Sequence, residues 1–163
     1  LDVPKNIVRI AGAKEARLNM VRHWLLPEAL KALAENKASE YPIKMFEVSD
    51  VVELNEKLEA CSCNKTHMVI LISDTKANYT QIRSCVDYLL ELLGVKAKII
   101  RENHKSFIEG RCAAIFLENR RVGVIGEVHP EVLTNFGLSM PTVAAEIDLS
   151  EVFNMEVNEV DWA

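Results

Sequence analysis

Positive charge is missing from the end of this chain: every Lys and Arg lies at or before Arg121, and residues 122–163 hold none. That stretch carries Glu127, Glu131, Glu146, Asp148, Glu151, Glu156, Glu159 and Asp161, with only His129 to offset them. Such a region repels phosphates, which argues against a nucleotide or RNA site there. Long apolar runs are also missing. No stretch approaches the roughly 18 uninterrupted apolar residues of a membrane span. The opening LDVPKN lacks the basic and then apolar layout of a signal peptide. The four cysteines, Cys61, Cys63, Cys85 and Cys112, do not fall into the spaced pairs of a secreted disulfide framework, so reduced thiols are expected. No phosphate-cradling loop exists either: Gly123 and Gly126 sit in a strand-like run, and no Gly-Lys-Ser/Thr follows. Repeats, low-complexity segments and obvious linkers are absent as well.

What is present is 163 residues, about half of them apolar, with a formal charge of −5. That is material for one domain with a real core, expected to span residues 1–163 as a soluble, cytoplasmic protein. Periodicity gives a mixture of strands and helices. NIVRI (6–10) reads as a strand, followed by a small-residue and charged connection over 11–19. Pro27 cannot sit inside a helix without removing a hydrogen bond. Leu26 and Pro27 therefore open a helix, with Glu28 in its first turn, Leu30 and Leu33 on its buried face and a stop near Asn36. MFEVSDVVEL (45–54) alternates as a half-buried strand does, and HMVILIS (67–73) suits a central one. Between Asn78 and Gly94, Ile82, Cys85, Val86, Leu89, Leu90 and Leu93 fall at three- and four-residue steps, which predicts a helix ended by Gly94. KAKII (96–100), CAAIFLE (112–118) and RVGVIGEV (121–128) follow as strands, the last two joined in hairpin fashion through Asn119 and Arg120. TVAAEIDL (142–149) is the last strand, with a short helix near Ser150. The hairpin connection is too short for a crossover, so the class is α+β, an antiparallel sheet flanked by helices.

Three candidate sites emerge, each with a bland counterpart. In GVIGEVHPEVL (123–133), strand alternation puts Glu127 and His129 on one side; with Glu131 they could bind a divalent metal or share a proton in a small stand-alone metal-dependent enzyme. The counterpart, which has the stronger support, makes Pro130 the first residue of a short helix, with Glu131 at its positive end and Val132, Leu133 and Phe136 packing it on the sheet. Cys61 and Cys63 with His67 look like a fragment of a zinc module. Structural zinc needs further ligands, and Cys85 and Cys112 sit in apolar faces, so a loop with two exposed thiols is the expectation. In FIEGR (107–111), a turn leading into a strand, Arg111 could grip a phosphate or carboxylate through its planar fork, or pair with Glu109 or Glu127.

Taken in order, VRHWLLPEALKALAENK (21–37), YPIKMFEVSDVV (41–52), FIEGRCAAIF (107–116), GVIGEVHPEVLTNFGL (123–138) and VAAEIDL (143–149) resemble the C-terminal part of phenylalanyl-tRNA synthetase β subunits of the archaeal and eukaryotic type. The resemblance covers most of the chain. It implies a class II aminoacyl-tRNA synthetase-like core, and the structural or interface positions it singles out are Arg22, Leu26, Pro27, Phe46, Glu47, Arg111, Gly126, His129 and Pro130. In that family the α subunit activates phenylalanine with ATP and magnesium and charges tRNA, while the β subunit packs an inactive copy of the core against it in an (αβ)2 assembly. Neither cofactor nor catalytic residue is implied for this domain itself. An adenylating class II site places an arginine in the hairpin after the first long helix and another after a Gly-x-Gly stretch at the last strand. Here Lys44 stands before Met45-Phe46-Glu47, and the last strand reads Ala144-Ala145-Glu146-Ile147-Asp148, two carboxylates without glycine or cation. IAGAKEA (10–16) stands where an Asn-Pro turn would be expected, and whole β subunits of this type are several times longer, so the chain is expected to be an excised fragment. A subunit-association role predicts an exposed apolar surface including Trp24, Leu25 and Tyr41.

Overall fold

Pro27 does what its chemistry requires, standing in the first turn of α1 (Leu26–Glu35). The apolar stripe Leu26, Ala29, Leu30 and Leu33 is fully buried, each leucine contributing roughly 1.5–3 kcal/mol of transfer free energy. Asn36 ends the helix: its backbone N–H reaches the Ala32 and Leu33 carbonyls, and its Nδ2 donates to Ala32 O at 2.8 Å. The structure is a computed structural model that describes residue 8, residues 20–153 and residues 158–159. The strand expected at 6–10 and the connection at 11–19 fall outside the described residues, apart from residue 8.

The chain then runs through β1 (Ile43–Leu54), β2 (Ser62–Ser73), α2 (Tyr79–Leu92), β3 (Lys98–Arg101), β4 (Phe107–Leu117), β5 (Arg120–Val128), α3 (Pro130–Asn135), β6 (Thr142–Asp148), α4 (Leu149–Val152) and β7 (Asn158–Glu159). The sheet order is β1-β2-β6-β5-β4-β3, with β7 pairing β2, and every pairing is antiparallel. This is the expected α+β class. β2 is longer than the apolar run suggests, because Ser62–Thr66, polar as they are, pair with Asp50–Leu54 of β1. α2 matches its periodicity: Ile82, Val86 and Leu90 are buried, and the Asn78 side chain caps its start by accepting from Gln81 N.

Two apolar layers sandwich the sheet. On its front, α1 and α3 cover Val69, Leu71, Cys112, Val124 and Ala144. On its rear, α2 covers Ile70, Ile115, Ile125, Val143, Ala145 and Ile147. α2 lies over β5 and β6, and among the described residues it does not extend over the rear of the outer strand β1. There Phe46 is 72% and Val48 49% exposed. This corrects the expected apolar surface: Leu25 is fully buried in the front core, and Trp24 and Tyr41 are half-buried. The outer end of β1 is closed off by Arg22, whose carbonyl accepts from Val52 N at 2.9 Å. Its guanidinium donates to Asp50 O at 2.8 Å, to Glu47 at 3.1 Å and to the Ser49 hydroxyl.

The FIEGR segment is strand rather than turn. The register against β5 shifts between Phe107 and Cys112, and Gly110 adopts φ of 79°, the left-handed region that glycine enters without steric cost. Gly126 faces this irregularity: a Cβ there would stand 2.8 Å from the Phe107 ring and 2.9 Å from Arg111 O. Replacing Gly126 with alanine is therefore expected to cost about 1–3 kcal/mol through overpacking, read as a lower urea midpoint; an unchanged midpoint would mean that the irregular segment yields freely.

Candidate functional site

A strand places residues two apart on the same side, so Glu146 and Asp148 of β6 project together at the front of the sheet. Register brings His67 of β2 opposite Asp148, and Val69 opposite Glu146. α1 starts directly over this pair. Its N-cap position is Leu25, which has no side-chain oxygen to offer, and Glu146 fills that role from across the sheet. Leu25 N donates to Glu146 Oε1 and Leu26 N to Oε2, both at 2.9 Å, and His67 Nδ1 lies 2.9 Å from Oε1. A carboxylate only 4% exposed is thus matched by two backbone donors and an imidazole, as burial of a charge demands.

Asp148 repeats the pattern one step along. It accepts from Glu151 N at the start of α4 and pairs with Lys65 Nζ at 2.9 Å. Lys65 also reaches Glu53 at 3.2 Å and Glu151 at 3.3 Å, so one ammonium serves three carboxylates. His67 Nε2 stands 3.7 Å from Asp148 Oδ2, close enough for attraction between charges yet without a hydrogen-bond partner. These groups line a cleft of about 290 Å3 whose other walls include His23, Trp24, His104, Arg121 and Gly123. The Trp24 and His104 rings meet edge to face at 5.4 Å.

Burial alone would lower the His67 pKa, but the carboxylates of Asp148 and Glu146 outweigh it and raise it to about 9. Geometry requires the same state, because a neutral ring would aim a lone pair at one of two carboxylates. For Asp148, burial pushes upward and is overcome by His67, Lys65 and the Glu151 N–H, which bring it down to about 2. Lys65 is desolvated but held charged by Asp148 and Glu53. His23 goes the other way, lowered by burial against the pull of Glu146 and Glu53.

The structure separates the candidates singled out in the sequence. Glu127 accepts from Tyr79 N at 2.8 Å, capping α2, and pairs with Arg111 at 2.6 Å. Of the alternatives for Arg111, Glu127 is the partner observed. His129 is the N-cap of α3, its Nδ1 accepting from Glu131 N at 3.2 Å, with Pro130 and Glu131 in the first turn. Glu127, His129 and Glu131 therefore serve two different helix starts and do not converge. Cys61 is exposed and Cys63 is buried at the start of β2, so the pair of exposed thiols is corrected to one, while His67 faces Glu146 instead of either thiol. Among the described residues no group of three His, Cys, Asp or Glu side chains is arranged to hold a metal ion. Glu47 pairs with Arg22, Leu26 is buried, and Phe46 is exposed. Sequence reasoning missed Glu53, Lys65 and the joining of His67 to Glu146; the only signal was two acids spaced by two on the last strand.

The family profile of the phenylalanyl tRNA synthetase beta chain CLM domain matches residues 2–149. A phenylalanine–tRNA ligase beta subunit of Saccharolobus islandicus is 38% identical over 152 residues, which are 93% of this chain and 28% of that protein. One from Methanopyrus kandleri is 37% identical over 151 residues, 92% of this chain and 26% of that protein. The chain thus spans about a quarter of the length of these relatives. Among solved structures, a pyrrolysyl tRNA synthetase from Desulfitobacterium hafniense shares the fold with a TM-score of 0.72 at 13% identity, over 91% of this chain and 52% of that one.

His67 gives the pH dependence a sign. Its folded pKa lies above the 6.5 of a free imidazole, so its contribution is complete below 6.5 and is lost as pH rises through about 9. Chemical denaturation at a series of pH values is expected to show stability falling across that window. His67→Gln is expected to flatten the slope and to cost on the order of 3 kcal/mol at neutral pH, because Glu146 loses its charged partner. An unaltered slope in the variant would refute the assignment.

Proposed function

The chain belongs to the phenylalanyl-tRNA synthetase β-chain family, and from that premise we propose that it is a non-catalytic synthetase-like domain supporting subunit assembly and the active site of an α subunit. The whole enzyme would make Phe-tRNA from phenylalanine, ATP with magnesium, and tRNA in the cytoplasm, as an (αβ)2 assembly. This domain would contribute neither cofactor contact nor catalytic residue.

The observation that carries the reading is the binding of Glu146 to the start of α1. Adenylation in this fold needs cations aimed at the phosphates, where negative charge develops. Here the last strand supplies Glu146 and Asp148, and the nearest cations, Lys65 and His67, are already paired with them. Glu47 faces Arg22 at 3.1 Å, so another cation is consumed within the chain. A triphosphate with its magnesium does not fit such a cleft: its charge would meet carboxylates whose donors are committed. Phe46 and Val48, exposed on the rear of β1, favour a partner surface over a stand-alone enzyme.

Mixing this chain with a phenylalanine-activating α subunit tests the proposal through complex formation and ATP-dependent phenylalanine activation. Binding is expected, with no activation from this chain alone. Activation by the purified chain, or failure to associate at micromolar concentration, would overturn it.

A further inference from the structure

At the end of the sheet away from the acidic cleft, a cavity of about 350 Å3 opens between α3, the end of β5 and the start of β6. Its inner wall is hydrocarbon: Val128, Leu133 and Leu138 are buried, and Ile108 is half-buried beside them. Exposed Thr134 and Ser139 give it a polar rim. Two charged side chains line it, Arg111 and Glu127. A recess of this volume, apolar within and carrying one charged pair, has the make-up of a small-molecule pocket. The pair is lopsided. Both Glu127 oxygens are engaged, Oε1 by Tyr79 N at 2.8 Å and Oε2 by Arg111 Nη1 at 2.6 Å. Arg111 donates through Nη1 alone, so its Nε–Nη2 edge, a fork that matches a carboxylate, has no partner among the described residues. Arg121 shows the contrast: its Nε and Nη2 both donate to Glu102, at 3.3 and 2.9 Å. Glu127, mostly buried and fixed by the start of α2, holds the guanidinium at the cavity while the Arg111 side chain stays 61% exposed.

We propose that this cavity binds a small apolar monocarboxylate, whose charged end takes the free edge of Arg111 and whose hydrocarbon tail lies on Val128, Leu133 and Leu138. Charge selects this class. A cation meets no vacant carboxylate oxygen, because both oxygens of Glu127 are engaged. A dianion such as phosphate meets Glu127 on the same guanidinium, and an apolar wall that cannot satisfy its remaining oxygens. The cavity shares no lining residue with the acidic cleft. The proposal therefore goes beyond the family reading and is judged separately from binding to an α subunit.

Isovalerate is the probe, titrated into the 163-residue chain at constant ionic strength. Isovaleramide serves as its uncharged twin, and acetate as the same head without the tail. The methyl resonances of Leu133 and Leu138 and the Nε–H resonance of Arg111 are the readout. Saturable shifts with a Kd on the order of 1 mM are expected for isovalerate, since so small a ligand has few atoms to bind with. Isovaleramide is expected to bind about tenfold more weakly, having no charge for the guanidinium, and acetate about tenfold more weakly, having no tail to bury. Arg111→Gln is expected to lose about tenfold in affinity for isovalerate, and Arg111→Lys, which keeps the charge without the fork, to lie between it and the parent chain. The comparison of isovalerate with isovaleramide needs no variant, so it decides the matter even if a substituted chain fails to fold. No saturable shift well above that concentration, equal binding of isovaleramide, or undiminished binding by Arg111→Gln would overturn the proposal.

Discussion

A buried carboxylate dictates much of this structure. Glu146 is removed from water at a cost of several kcal/mol, and Leu25 N, Leu26 N and His67 surround its two oxygens to offset that cost. Those three donors come from α1 and β2, while the acid comes from β6, so one charge fixes where the helix sits relative to two central strands. The requirement is mutual. α1 lacks a capping side chain of its own, and its first N–H groups would be orphaned without the acid. The leucine stripe that packs α1 on the sheet supplies more free energy, but it is non-directional; the polar contacts set the helix's position along the strands.

The fold is shared, but the charges placed on it belong to this chain. The backbone matches that of a pyrrolysyl tRNA synthetase over nine-tenths of this chain, yet folds host sites rather than determine them. In this sheet the front end carries two acids whose neutralising cations arrive from β2, and Lys65 spreads over Glu53, Asp148 and Glu151. That network links β1, β6 and α4 through Lys65 of β2. In this arrangement the positive charge of Lys65 and His67 is spent on cohesion.

Much of the architecture was legible because local patterns carried it. α2 has unbroken helical spacing between a good cap and a glycine, and α3 has proline and glutamate in its first turn. β1 illustrates the limit. Alternation in MFEVS correctly gives a strand, but Phe46 and Val48 are the exposed members, since which side is covered depends on where α2 lands. The first half of β2 reads as loop in the sequence because Ser62–Thr66 are mostly polar; pairing with β1 decides their state. The charged cluster was the least legible part. His67 and Glu146 are 79 positions apart, and only the β2–β6 register puts them together. His129 as a cap was hidden for another reason: imidazole is an uncommon cap and becomes one here through its Nδ1 lone pair.

The outer half of β1 has a consequence for behaviour in solution. Arg22 engages Glu47, Ser49, Asp50 and Val52, and among the described residues no strand pairs with the outer side of β1 from Ile43 to Phe46, a run of backbone at the border of the sheet. Unprotected borders of this kind template the addition of foreign strands, the first step toward fibrils and precipitates. A domain with such a margin is expected to keep longer in solution once that margin is covered.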